Sequence, residues 1–156
     1  MPETAAIRSA DREDLGSLTA LLETLFSLEE DFVVDGGRQR RGLELLLESD
    51  RGRLLVAEAD GAVVGMCSGQ LTISTAEGGP AVLVEDVVVR EDWRGRGIGA
   101  RLMDAVADWA MERGATRLQL LADRNNASAL DFYTHLGWSA TQLICLRNRP
   151  TYKGKP

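Results

Sequence analysis

The chain has 156 residues, 44% hydrophobic and 27% charged, a composition that fits one globular domain and excludes collagen-like, low-complexity and largely disordered chains. No apolar run approaches the ~18–20 residues of a membrane span, and Met1 to Arg8 lack the basic start and apolar stretch of a secretory signal, so the expectation is a cytoplasmic protein with no membrane partner. Eighteen Lys and Arg against 24 Asp and Glu leave a net charge of −6, which repels a phosphate backbone and argues against nucleic acid as a partner.

In chain order, Thr4 to Ala10 reads as a first strand. Asp11 then offers an N-cap with Asp14 three residues on, ahead of Leu15, Leu18, Leu22 and Leu25 at helical spacing. Asp35-Gly36-Gly37 breaks that helix, and Leu43, Leu46 and Leu47 mark a second one that stops near Asp50. Leu54 to Ala59 reads as a strand, Asp60-Gly61 as a hairpin turn, and Ala62 to Ile73 as its partner. Ala81 to Val89, rich in β-branched residues, is expected to be a central strand. A glycine turn at 94–99 leads into a helix whose Ile98, Leu102, Val106 and Trp109 share one face, and Gly114 ends it. Leu118 to Leu121 form the next strand. Asn125 or Asn126 caps a helix through His135, Gly137 ends it, and a last strand is expected over Ser139 to Leu146.

The resulting order, β-α-α-β-β-β-α-β-α-β, predicts an α/β fold of the α+β type. Its central mixed sheet is antiparallel early, parallel around the glycine turn, and flanked by helices. Residues 1–147 would form the domain and 148–156 a polar tail. Cys67 and Cys145 each lie among apolar neighbours and read as two buried thiols. His135, the single histidine, has no ligand partner at a metal spacing, so no metal is expected.

The turn Arg94-Gly95-Arg96-Gly97-Ile98-Gly99 carries the first chemical signal. Backbone N–H groups freed of side chains can close around an anion, and the following helix start adds orphan donors and partial positive charge. A Walker loop is excluded, because Gly99 is followed by Ala100 and Arg101 instead of Lys-Ser/Thr. The letters of a Rossmann fingerprint are present, with Gly95, Gly97, Ala100 and a later Asp123. The unit starts after residue 80, though, and follows a hairpin, too late for a two-half nucleotide sheet. A plain strand-to-helix turn is the bland alternative.

Two segments together are more specific. Arg94-Gly95-Arg96-Gly97-Ile98-Gly99 resembles the R-x-x-G-x-G acyl-CoA pyrophosphate loop of the GCN5-related N-acetyltransferase (GNAT) family at Arg94, Gly97 and Gly99. About thirty residues later, Asn126 to Trp138 is similar to that family's N-x-x-A-x-x-x-Y-x-x-x-G-aromatic segment at Asn126, Ala129, Tyr133, Gly137 and Trp138, with Trp in place of the commoner Phe. The element order over roughly residues 4–146 is similar too. The resemblance implies a GNAT-like fold with a splay between the two strands of the glycine unit, and acetyl-CoA as co-substrate.

Acetyl transfer from a thioester to an amine needs a base for an ammonium of pKa ~10.4, an oxyanion donor, and an acid for the departing thiolate. Glu85 and Asp86 sit inside the most apolar strand, where an unpaired charge is costly, and alternation is expected to send them to opposite faces. The resemblance favours Glu85 as base, with structural roles as the bland reading for both carboxylates. It also implies Tyr133 as the acid that protonates the thiolate; as a lone aromatic, Tyr133 would read as core. In the splay, backbone groups of Val87, Val88 and Val89 would pair a pantetheine arm like an added strand, and one N–H would serve the oxyanion. The loop Arg94, Gly95, Arg96, Gly97, Ile98 and Gly99 would hold the phosphates, with side-chain help from Asn126 and Ser128, which can equally serve a helix start. The expected function is an N-acetyltransferase acting on a primary amine, with a small-molecule acceptor. An acyl-CoA-binding module without turnover and a protein N-terminal or lysine acetyltransferase remain the alternatives, and the oligomeric state stays open between monomer and homodimer. The acceptor pocket is expected from the first two helices and the loops 27–42 and 74–80, with Glu29, Glu30, Asp31 and Asp35 giving it a negative rim that favours a cationic amine.

Overall fold

The structure, a computed structural model, describes residues 4–29 and 32–151 and divides into two compact units, residues 1–120 and 121–156. In the first, β1 (Ala6–Ser9) leads to a 3-10 turn, Arg12–Asp14, that runs into α1 (Leu15–Leu28). Asp11 and Asp14 cap this entry reciprocally: the Glu13 N–H donates to Asp11 Oδ1 at 2.8 Å and the Asp11 N–H to Asp14 Oδ2 at 2.8 Å. Asp14, buried, also takes a two-pronged bond from Arg8 at 2.8 and 2.9 Å, which holds its carboxyl below the usual carboxylate range. α2 (Gly36–Glu48) starts at Asp35, whose carboxylate accepts from the Arg38 N–H at 3.1 Å.

Then come β2 (Gly52–Ala59), β3 (Ala62–Ser74) and β4 (Gly79–Val89), a second 3-10 turn (Glu91–Trp93), α3 (Ile98–Glu112) and the short β5 (Leu118–Leu120). The sheet runs β1-β2-β3-β4-β5, antiparallel except for the parallel β4–β5 pair, as the sequence predicts. Asp60 and Gly61 both take positive φ, 54° and 74°, the geometry of the two-residue hairpin turn read from Asp-Gly. α1 and α2 cover one face, where Leu15, Leu18, Leu22 and Leu43 pack with Val56, Met66 and Val88. On the other face α3 buries Ile98, Leu102, Val106 and Trp109, the four residues of its predicted stripe. It lies close because β3 has glycines there: a Cβ on Gly69 would come within 2.8 Å of Val106 and 3.0 Å of Trp109.

Two local features depart from a regular sheet. β5 pairs with β4 only over Val82–Val84, so residues 85–89 have no ladder partner on that side among the described residues; this is the expected splay. On the other side, Ser68 pairs with Glu85 and Met66 with Val88, leaving Asp86 and Val87 opposite Cys67 alone. This is a β-bulge, with Asp86 at φ 55°.

The second unit holds α4 (Ala127–His135), capped by Asn126, whose Oδ1 accepts from the Ala129 N–H at 3.0 Å. Gly137 at φ 91° ends it, with the Trp138 N–H donating to the Tyr133 carbonyl at 3.0 Å. The strand expected over Ser139–Leu146 does not form: the segment has no ladder partner, and Leu143, Ile144 and Leu146 are exposed. Cys145 is consequently exposed too, against the expectation of two buried thiols. Cys67 is buried as expected, and burial pushes its thiol up to about 12. Of the polar tail, residues 152–156 lie outside the described residues. No helix among the described residues is long and apolar enough to cross a membrane.

Candidate active site

The glycine loop has the form an anion cradle requires. Gly95 and Gly97 adopt φ 76° and 78°, a region that disfavours any side chain, and no atom lies within 4 Å of where a Cβ would stand. Gly97 is the N-cap of α3 and offers no side-chain bond, so the first N–H groups of α3, from Ile98 and Gly99 onward, keep no capping partner from that residue. The Ile98 side chain is buried in the core, leaving its backbone for the loop. Arg94 is tied back to the strand, with Nε donating to the Val89 carbonyl at 2.9 Å. The Arg96 guanidinium lies over Trp93, 4.4 Å from the ring centre. Exposed glycine N–H groups, a helix start and a stacked guanidinium fit a pyrophosphate.

Val87, Val88 and Val89 stand on the unpaired edge of β4, where an extended amide chain can add as a strand. The Val89 carbonyl already accepts from Arg94, so the free backbone positions are those before it.

On the opposite face of the sheet lies a cavity of about 550 Å³. α1 supplies Leu22 and Phe26; α2 supplies Arg38, Gln39, Gly42, Leu43, Leu45 and Leu46; Ser49 and Gln70 complete the wall beside Glu85 and Asp86. The first two helices therefore build the pocket as expected, whereas none of residues 74–80 lines it. The bulge explains why both carboxylates do. Simple alternation would turn Asp86 toward α3; the extra residue in β4 turns it back, beside Glu85. This corrects the expectation of opposite faces.

Asp86 is half-buried, and among the described residues no hydrogen bond acts on its carboxylate. Burial, and then the charges of Glu85 and Glu29, push it up to about 7. Of the expected negative rim, Glu29 acts on Asp86, Asp35 caps α2, and Glu30 and Asp31 lie outside the described residues. Ser68, buried beside the bulge, donates Oγ to the Glu85 carbonyl at 3.0 Å. Arg38 and Gln39 come from the expected 27–42 segment, whereas sequence reasoning missed Gln70 as a cavity residue. The one usable sequence signal for the bulge was an Asp, which tolerates left-handed φ, inside a β-branched run.

In the second unit, Tyr133 on α4 is half-buried between the rings of Phe132, at 5.1 Å, and Trp138, at 6.0 Å. Asn126 spends its side-chain oxygen on the α4 cap, and Ser128 is exposed in the first turn. His135 is exposed, its Nδ1 2.8 Å from the Asp131 carbonyl. No group of three His, Cys, Asp or Glu that could hold a metal occurs among the described residues.

Comparison with known proteins agrees with this geometry. Residues 19–138 match the Acetyltransferase (GNAT) family. An uncharacterized N-acetyltransferase of Archaeoglobus fulgidus is 30% identical over 129 residues, covering 81% of this chain and 88% of its own length. Streptothricin acetyltransferase of Streptomyces lavendulae is 33% identical over 107 residues, 69% of this chain and 52% of its own. Among solved structures, aminoglycoside N-acetyltransferase AAC(6')-Iy in complex with CoA superposes with a TM-score of 0.83 at 19% identity, covering 97% of this chain and 98% of that one. The chain belongs to the GNAT family: it is an acetyltransferase, with acetyl-CoA as co-substrate.

Proposed function

We propose that this enzyme transfers acetyl to the primary amine of a small molecule by direct attack in a ternary complex. The observation that carries the reading is the 550 Å³ cavity, of a size that holds a small molecule, with two carboxylates in its wall. When bound, acetyl-CoA supplies the thioester carbonyl and the thiolate leaving group. Backbone groups of Val87 and Val88 hold its amides and donate to the developing oxyanion. The loop from Arg94 through Gly95, Arg96, Gly97 and Ile98 to Gly99 holds its phosphates, and Ser128 and Asn126 lie in the segment whose motif accompanies that loop. One of the two carboxylates of the cavity accepts a proton from the acceptor amine, and by family resemblance the Tyr133 hydroxyl donates one to the leaving sulfur.

The names of two compared proteins, a streptothricin and an aminoglycoside acetyltransferase, refer to small molecules and favour that class of acceptor. Thiol release from acetyl-CoA across a panel of small primary amines, amino acids and peptide N-termini tests the proposal. The expected result is turnover with small amines and none with peptides. No release with any acceptor would leave an acyl-CoA-binding module, and preference for a peptide would make the enzyme a protein acetyltransferase.

A further inference from the structure

We propose that Asp86, turned into the acceptor cavity by the β4 bulge, is the group that takes the proton from the acceptor amine, and that Glu85 sets the pH at which it does so. The assignment rests on the acetyltransferase reading and chooses between its two carboxylates.

Three observations carry it. The bulge between Ser68↔Glu85 and Met66↔Val88 places Asp86 on the cavity wall, and the residue holds φ 55° to stay there. A non-glycine residue in that region persists only where the surroundings fix it. Among the described residues no hydrogen bond acts on the Asp86 carboxylate, which leaves its lone pairs for an incoming N–H or a bridging water. The charged groups facing it are mostly negative: Glu85 from the same strand and Glu29 after α1. Across the cavity α2 contributes Arg38, whose guanidinium lies 3.7 Å from Asp35 at the start of its own helix, and β3 contributes the uncharged Gln70.

A buried carboxyl between two acids holds its proton to higher pH than a free one, which makes it a stronger base near neutrality, and a base works best when its pKa lies near the working pH. Asp86 then takes one proton from the acceptor ammonium and passes it to water. The freed nitrogen lone pair forms the C–N bond; the C–S bond breaks with its electron pair leaving on sulfur; the second nitrogen proton is lost as the amide forms and one proton ends on the thiolate. The sum is one amide, one thiol and one proton released to solvent.

The test has two arms. In the free protein, ¹³C-carboxyl shifts of labelled aspartate are followed from about pH 4 to about pH 9 in wild type, Asp86→Asn and Glu85→Gln. One aspartate is expected to titrate near neutrality; that resonance disappears in Asp86→Asn and moves to lower pH in Glu85→Gln. An ordinary acidic titration for Asp86, or no movement in Glu85→Gln, overturns the coupling without needing any acceptor.

In the second arm, kcat/KM is measured against pH with the best amine of the panel. Asp86→Asn, which keeps a residue that tolerates positive φ, is expected to lose ~10²–10⁴-fold in kcat with a melting temperature no lower than that of the wild type. In Glu85→Gln the acid limb of the kcat/KM profile is expected to move to lower pH with the resonance. The reverse pattern, with Glu85→Gln inactive and Asp86→Asn active, overturns the assignment. A wild-type protein that turns over no amine overturns the acetyltransferase reading itself, whereas the titration still decides whether the two carboxylates are coupled.

Discussion

Asp86 has a cost in stability whose sign is fixed by its surroundings. Folding raises its pKa from 3.8 to about 7, so between those values the native state holds a proton that the unfolded state has released. Linkage then makes stability fall as pH rises through that window, the opposite of an ordinary paired carboxylate. Asp86→Asn is therefore expected to melt higher than wild type at a pH above about 7 and to match it below about 4, as scanning calorimetry at the two extremes would show. A uniform difference at both would mean that backbone or packing effects dominate. Gly97 acts at the same scale. Acetyl-CoA is expected to raise the melting temperature of the wild type by mass action, and Gly97→Glu to abolish that rise, because φ 78° disfavours a side chain and the added charge would face the phosphates. An equal rise in both proteins would take the cradle away from this loop. For Tyr133, removing only the hydroxyl in Tyr133→Phe is expected to leave cofactor affinity unchanged and lower kcat ~10²–10⁴-fold; unchanged kcat with chemistry limiting would return it to a packing role beside Phe132 and Trp138.

At the scale of elements, the close approach of α3 to β3 depends on one missing side chain. Gly69→Ala would place a methyl 2.8 Å from Val106 and 3.0 Å from the Trp109 ring, both buried and with little room to yield. A loss of ~1–3 kcal/mol is expected in denaturant unfolding, and no loss would mean that α3 shifts freely on the sheet. Elements with a local signal were legible in the sequence: the Asp11–Asp14 cap, the Asp60-Gly61 turn and the stripe from Ile98 to Trp109 all appear as read. The glycine loop was legible for the same reason, since its positive φ values demand a residue type. What escaped depends on partners. Whether an extended run becomes a strand is decided by a partner edge, and Ser139–Leu146 pairs with none among the described residues despite its apolar residues. Likewise a bulge is a property of two strands in register, so strict alternation along β4 placed Asp86 on the wrong face. Gln70 joins the cavity's Arg38 and Gln39 only by the packing of α2 and β3, which no spacing within either segment specifies.

For the whole molecule, the field is that of a chain with net charge −6, and among the described residues the cavity repeats its sign, with Glu85, Asp86 and nearby Glu29 against Arg38. A low-dielectric wall focuses such a field, raising the local concentration of a cationic acceptor and its rate of encounter. Arg38 is partly neutralised by Asp35, which leaves the acidic side dominant over a carboxylate-bearing acceptor. Amines that carry a second positive charge are therefore expected to show higher kcat/KM than neutral amines of the same size, and anionic ones lower. The advantage should shrink with added salt, because the screening length falls from ~10 Å at 0.1 M to ~3 Å at 1 M while contacts inside the cavity are screened far less. A salt effect confined to kcat/KM, with kcat unchanged at saturating amine, would place the field's action on encounter. A preference for anionic amines, or a cationic preference indifferent to salt, would show that shape and Arg38 select the acceptor instead, and would leave acetyl transfer itself untouched.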